Sequence, residues 1–315
     1  MLMATGGAGY VGSHAVRALR AAGHEVVVYD DLSEGHADAC LGAPLVQGDI
    51  RDTPRLQAVL REHRVAAVLH FAARCYVGES MQKPELYWSI NRDGTRSLLA
   101  AMRAAGASAL VFSSTCAVFG EPASLPMDDD LPHRPVNVYG ETKAAMEREI
   151  AASGLGHVIL RYFNAAGAAA DGALGERHDP ETHLIPLALR AARDGGELLI
   201  HGGDYPTPDG TCIRDYVHVE DLAAAHVAAV ERLLAGGASL ACNLGYGRGA
   251  SVLQVCEVTR AVTGRPLRTR TGPRRPGDPP ELYARADRAR RELAWRPRFD
   301  DLSVIVRHAW QALRA

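Results

Sequence analysis

Five short apolar runs, "LMAT", "EVVVYD", "PLVQG", "AAVLHFAA" and "ALVFSS", follow one another through the first 115 residues with helix-spaced segments between them. None alternates polar with apolar positions, as a strand with one wet face does, so each must be covered on both sides. Strands of that kind joined by helices build a parallel sheet with helices above and below. The fold class is therefore α/β, a doubly wound parallel sheet of the Rossmann type. Helices are expected over 10–22, 53–62 and 84–105 and from near Asn137 to Ser153, after which "HVILRYFN" reads as another strand.

Beyond residue 165 the texture loosens. "GAAADGALGERHDPETH", "HGGDYPTPDGT" and "TGPRRPGDPP" are loops broken by glycine and proline, with helices expected at about 183–193, 219–234, 251–263 and 302–314 between them. Residues 1–165 are read as one domain and 166–315 as mainly a smaller mixed α/β lobe, with the stretch near 212–245 returning to the first domain. A formal net charge of -2 and a pI near 6.7 lack the strongly basic face that nucleic acid or an anionic membrane demands. Six cysteines without a C-x-x-C pair fit reduced thiols better than a disulfide frame or a zinc site, and no metal is expected. No charged leader with an apolar run precedes residue 6, and no stretch approaches the ~18 apolar residues of a membrane span. A cytoplasmic chain is the expectation.

"TGGAGYVG" places Gly6, Gly9 and Gly12 after the first strand and at the start of a helix. Glycines there allow a tight turn and let backbone N–H groups meet a pyrophosphate at the positive end of the helix. Asp30 ends the next strand, where a carboxylate would accept from adenosine ribose hydroxyls. Asp31 follows, with no lysine or arginine nearby in sequence to hold a 2′-phosphate, so NAD is expected over NADP. "QGDIRD" supplies Asp49 and Ile50 for an adenine, although Asp49 or Asp52 could equally be a plain helix N-cap. "HFAARC" leaves its strand through Phe71 and the small residues Ala72 and Ala73, as a backbone passing close to a cofactor requires. Asn91 is a polar group in an apolar helix pattern, either a cofactor contact or a satisfied core residue.

Only two of the 35 basic residues are lysine, Lys83 and Lys143. With ten tyrosines, a Tyr-x-x-x-Lys is expected by chance about 0.06 times in such a chain, yet "VYGETK" contains one. Tyr139 and Lys143 then share one helical face. "FSSTCAVFG" ends its strand with Ser113, Ser114 and Thr115, and ligands of open α/β sheets sit at carboxyl ends of strands. One of these hydroxyls could meet the Tyr139 phenol there across a substrate.

Together Gly6-x-x-Gly9-x-x-Gly12, Thr115 and Tyr139-x-x-x-Lys143 resemble the extended short-chain dehydrogenase/reductases. The later pieces "RYFNAAGA", "ETHLIP", "DYPTPDGTCIRDYVHVEDLA", "NLGYG" and "RRPGD" resemble the UDP-glucose 4-epimerases in particular. The resemblance runs nearly end to end and implies an isomerase of nucleotide sugars with NAD as a resident cofactor. It implies a 4-hydroxyl that loses its proton to Tyr139, kept ionised by Lys143, while Thr115 binds the reacting oxygen. It adds Tyr10, Val11, Leu32, Ser33, Gly35 and Phe163 to the cofactor contacts. It places a UDP-sugar against Asn164, Arg214, Arg275 and Asp278 at the diphosphate and ribose, and against His183, Leu184, Leu199, Ile200 and His201 at the uracil. Leu282 falls where relatives set sugar size, Cys75 where some carry a lysine, and a homodimer through the helices after Pro84 and around Tyr139 is implied as well. Pentose, uronate or N-acetylhexosamine 4-epimerases share these motifs. A 4,6-dehydratase would need an Asp-Glu pair where Cys116 and Ala117 follow Thr115, and a non-catalytic NAD sensor would have little use for the catalytic trio.

Overall fold

In a computed structural model of the chain, which describes residues 1–122, 124–275 and 277–314, the apolar runs become strands close to where their composition places them. The first half runs β1 (Leu2–Thr5), α1 (Tyr10–Ala21), β2 (Val26–Asp30), β3 (Leu45–Gln47), α2 (Thr53–Glu62), β4 (Ala67–His70), α3 (Val77–Gln82), α4 (Pro84–Tyr87), α5 (Gly94–Ala105), β5 (Ala109–Thr115), α6 (Val138–Ala151) and β6 (Gly156–Tyr162). The second half adds β7 (Asn164–Ala166), α7 (Leu184–Asp194), β8 (Glu197–His201), β9 (Ile213–Arg214), β10 (Tyr216–His218), α8 (Val219–Leu234), β11 (Leu240–Leu244), β12 (Ala250–Ser251), α9 (Val252–Thr263), β13 (Arg268–Gly272), β14 (Glu281–Leu282), α10 (Asp287–Glu292) and α11 (Leu302–Arg314).

Seven strands form one parallel sheet in the order β3-β2-β1-β4-β5-β6-β11. β1, β2, β4 and β5 are buried along their whole length, which is why their sequences carry no polar alternation. One face is closed by α1, α8 and α10 over Val16, Leu19, Leu222 and Trp295. The other is closed by α2, α5 and α6 over Leu56, Leu98, Met102 and Met146. Residues 219–244 thus contribute a covering helix and an edge strand to this sheet, although they follow the looser loops in sequence. The remaining short strands make three small sheets, β10-β7, β12-β9-β14 and β13-β8.

One expected helix is interrupted. Residues 84–105 are α4, then a π-helical stretch Trp88–Asp93, then α5. The wider winding brings Asn91, fully buried, against α6, and such bulges cluster where a helix must aim a side chain out of register.

Four histidines lie in this core, and burial holds all of them below their ordinary value: His14 and His226 at about 4, His70 and His218 at about 3. His14 and His226 each bond through Nδ1 to the carbonyl one turn back, Tyr10 at 2.9 Å and Leu222 at 2.8 Å, and their Nε2 atoms have no partner. In the unfolded chain these rings protonate near 6.5, so as pH falls below that value protons bind the unfolded state more tightly. Their contribution to stability is complete above about pH 6.5 and is lost as pH falls toward the folded values. Urea midpoints measured from about pH 7.5 to about pH 5 should therefore fall, and His226→Leu should flatten the slope. A profile level across that window, or one unchanged in the variant, would contradict this account.

Candidate active site

The strand order reverses between β1 and β4, and the crevice opens at their carboxyl ends, where open α/β sheets bind ligands. Gly6, at φ +70°, lies so close to the loop after β4 that a Cβ would come within 2.4 Å of the Ala72 nitrogen. A Cβ on Gly12 would come within 2.2 Å of the Gly6 carbonyl oxygen. The glycine turn, the first turn of α1 and the loop from Phe71 are therefore one close-packed cradle. α1 starts from Gly9 with no side-chain cap, so its first N–H groups, those of Tyr10 and Val11 included, are available to an anion. The Tyr10 phenol points elsewhere and donates to the Gly167 carbonyl at 2.7 Å.

Asp30 is buried at the cleft wall. One carboxylate oxygen accepts from Ala8 N at 3.0 Å and the other from Leu32 N at 2.9 Å, while burial pushes its pKa up. Asp31, Ser33, Gly35, Ile50, Phe71, Ala72 and Ala73 line the same cleft. Two residues the motifs do not reveal line it as well, Glu34 and Arg74, and they pair with each other. An arginine is thus near after all, brought from a distant loop, but Glu34 neutralises it. With Asp30 and Asp31 beside it, the wall stays inhospitable to a 2′-phosphate.

Asp49 and Asn91 are not presented to the cleft as free groups. The Asp49 carboxylate is taken by the Arg51 guanidinium, while Asp52 is the N-cap of α2, accepting from Arg55 N at 3.0 Å. Asn91 accepts from Arg74 N at 2.8 Å and donates to Arg74 O at 3.1 Å and to Thr142 Oγ1 at 3.0 Å. Thr142 in turn donates to the Tyr139 carbonyl at 2.8 Å. A buried chain of bonds therefore fixes the loop after β4 to the helix carrying the tyrosine, and this is what the π-helical stretch provides.

α6 begins at Asn137, whose side chain accepts from Gly140 N at 2.9 Å, so Tyr139 sits in the first turn with Lys143 one turn on. Lys143 is 4% exposed. Its Nζ lies 4.8 Å from the Phe112 ring centroid and 6.0 Å from that of Tyr139, and donates to the Ser113 carbonyl at 2.9 Å. Of the three strand-end hydroxyls, Ser113 bonds the Tyr162 phenol and Ser114 bonds Glu147. That leaves Thr115, which also accepts from Ala117 N at 3.1 Å, facing Tyr139. Burial pushes the Tyr139 phenol above its ordinary value, the Cys75 thiol adds to this, and Thr115 pulls it back. Burial brings Lys143 down to about 8, partly offset by Cys75 and Glu147. Beneath the helix, Glu147 and Arg161 form a buried ion pair at 2.7 Å that anchors α6 to β6. Because the lysine slot is enclosed by Phe112 and satisfied by one carbonyl, Lys143→Arg should lower turnover by roughly 10²-fold, a planar fork being a poor fit for a point-charge site. Steady-state rates compared with wild type would settle it, and a loss under about threefold would remove the lysine from the machinery.

On the far side of the cleft, Arg214 donates to Asp278 and to the carbonyls of Pro279 at 2.8 Å and Ile213 at 2.8 Å. Its acidic partner is Asp278 and not the adjacent Asp215, which is buried and accepts from Tyr246 N. His201 lies near enough to Arg275 and Asp278 to feel both charges. Ile200 is buried in the small core under β8, so only its backbone can face a ligand; Leu199 is partly exposed. Leu282 pairs in register with Arg214 and shares an apolar cluster with Phe163 and Phe119. Asn164 opens β7, its N–H donating to Asp215 O at 3.2 Å. His183 caps the start of α7 beside Tyr76 and Leu184.

The sequence profile of the NAD dependent epimerase/dehydratase family matches residues 2–245. The chain belongs to that family. A curated UDP-glucose 4-epimerase from Rhizobium meliloti is 48% identical over 98% of this chain and 95% of its own length. The crystal structure of UDP-glucose 4-epimerase from Brucella ovis in complex with NAD superposes with a TM-score of 0.95 at 46% identity, covering 98% of this chain and 97% of that one. The Stenotrophomonas maltophila UDP-glucose 4-epimerase with bound NAD and formylated UDP-arabinopyranose gives 0.95 at 41% identity, over 99% and 97%. The cradle fits the cofactor of the epimerase/dehydratase family: its glycines leave the space a Cβ would fill, the first turn of α1 has uncapped amides that can meet an anion, and the Asp30 carboxylate stands at the cleft wall. Glu34, Arg74 and the Asn91–Thr142 bridge escaped sequence reasoning because no motif spacing marks them; they meet only through contacts 17 to 51 residues apart in sequence.

Proposed function

We propose that the protein interconverts UDP-glucose and UDP-galactose by inverting C4 of the sugar through a transient 4-keto species, with no net oxidation. The convergence of Tyr139, Lys143 and Thr115 at the carboxyl end of β5, beside a cleft built for a dinucleotide, carries this reading. Gly6, Gly12, the first amides of α1 and Asp30 would hold NAD, which would supply a hydride acceptor for C4 and a positive charge beside Tyr139. Thr115 holds the reacting oxygen, and Tyr139 takes its proton and later gives it back. Burial leaves the phenol protonated at neutral pH in the chain alone, so its function as base depends on positive charge near it. Lys143, one turn away, contributes part of that charge. Arg214, Arg275 and Asp278 would hold the diphosphate and ribose, which requires the Arg214–Asp278 pair to share or yield its donors to phosphate oxygens. The wall formed by Leu282 and Phe163 would face the sugar.

A dehydratase of the same family is disfavoured by Cys116 and Ala117, which follow Thr115 in a short 3₁₀ turn and supply no carboxylate. No helix among the described residues is long and apolar enough to cross a membrane. We expect a homodimer by likeness to the family; light scattering on the purified protein tests it. Function is tested by incubating the protein, with no cofactor added, with UDP-galactose and then with the N-acetylhexosamine, pentose and uronate analogues. UDP-glucose should form fastest. Formation of a 4-keto-6-deoxy product, or turnover confined to another sugar, would replace this reading.

A further inference from the structure

The loop before α7 carries Glu176, His178, Glu181 and His183, two Glu-x-His units five residues apart. They fold back so that one donor atom of each lies within 4.8 Å of the others. His178 Nδ1 is 3.2 Å from Glu176 Oε1 and 3.7 Å from Glu181 Oε2; His183 Nδ1 is 2.8 Å from Glu176 Oε1 and 3.2 Å from Glu181 Oε1. A tetrahedral cation with bonds of ~2.0–2.1 Å holds its donors about 3.3 Å apart, and the four imidazole–carboxylate separations, 2.8 to 3.7 Å, bracket that value.

Two of these atoms are unsatisfied. His178 Nδ1 and Glu181 Oε2 are buried without a hydrogen-bond partner, a state that calls for an explanation. The Glu181 side chain is 1% exposed. Its Oε1 accepts from Thr182 N at 2.8 Å and His183 N at 2.9 Å, which fixes the carboxylate and aims Oε2 into the cluster. The nearest arginine nitrogen, on Arg190, stands 3.9 Å from that oxygen, too far for a hydrogen bond. The edges of Tyr10 and Tyr76 flank His178 at centroid distances of 6.3 and 5.9 Å. His183, the most open of the four, leaves a route from solvent.

We propose that Glu176, His178, Glu181 and His183 together bind one divalent transition-metal cation, zinc matching best the two imidazole and two carboxylate donors at tetrahedral spacing. The cation would tie the loop before α7 to Tyr10 of the cofactor turn and Tyr76 of the loop after β4. It has no part in the hydride and proton steps, and it would engage His183, which the resemblance places at the uracil end, through Nδ1. It departs from the sequence expectation of no metal, which considered cysteine spacing alone.

The purified protein, stripped with a chelator and dialysed against zinc buffered at micromolar free concentration, should retain about one equivalent per chain by mass spectrometry, with a rise in Tm. Cobalt in place of zinc should give the intense visible absorption of a four-coordinate ion. Glu181→Gln and His178→Ala should each weaken zinc binding by on the order of 100-fold or more, with folding checked by circular dichroism. Cys75→Ser, which removes the neighbouring thiol, should leave it unchanged. No stoichiometric zinc, or zinc that persists in both ligand variants or departs with Cys75, would overturn the assignment and leave an imidazolium–carboxylate ion-pair cluster in its place.

Discussion

Tyr139→Phe is expected to lower turnover of UDP-galactose by roughly 10²–10⁴-fold, the range that a positioned acid–base group supplies, while UDP binds as in wild type. The phenylalanine keeps the ring in the first turn of α6, so the backbone bonds to Ser80 and Thr142 and the Asn91 bridge behind them survive. What disappears is the one hydroxyl that faces Thr115 at the strand end. Calorimetric titration with UDP separates the two effects, since uniform weakening of binding would raise KM and leave kcat alone. A variant with wild-type kcat would mean that another group moves the proton. The pH profile offers an independent check. Because burial holds the phenol above its ordinary value, the activity of wild-type enzyme should rise with pH through neutrality, and Tyr139→Phe should abolish that rise.

Gly12→Ala should be as damaging by another route. The added methyl would stand 2.2 Å from the Gly6 carbonyl oxygen and 2.9 Å from Gly7 Cα. Both are backbone atoms of the turn proposed to hold the diphosphate, so no side chain can swing aside. Either α1 is displaced from β1 or the turn opens, at the ~1–3 kcal/mol typical of overpacking, and in both cases the uncapped amides of α1 lose their aim. The variant should be isolated without nicotinamide, with activity lost in proportion. Cofactor content is read by acid release and absorbance. Full NAD content in a folded Gly12→Ala protein would show that the cradle is looser than its spacing indicates.

The two predictions draw on different kinds of legibility. Gly12 could be named from the chain alone, because it completes a glycine triplet that follows a strand and opens a helix, with an acid at the end of the next strand. Tyr139 and Lys143 could be named because four residues on a helix is a contact. Asp30 likewise follows from its place at the end of the second strand. Arg74 and Glu34 could not, since their pairing spans 40 residues and depends on two strands becoming neighbours in the sheet. The same is true of the partner of Arg214, which sequence proximity suggests is Asp215 and which the fold makes Asp278.

What the sequence determined by itself is everything local: strands with no polar alternation, hence a sheet covered on both faces; a glycine turn; a phenol and an ammonium on one face. These follow from periodicity and backbone sterics, whose range is a few residues. Only the tertiary structure decided which charges meet and that Asn91 bonds across to Arg74 and Thr142. Those outcomes depend on chain segments far apart in sequence arriving at the same place, and burial then fixes what their groups can bond to.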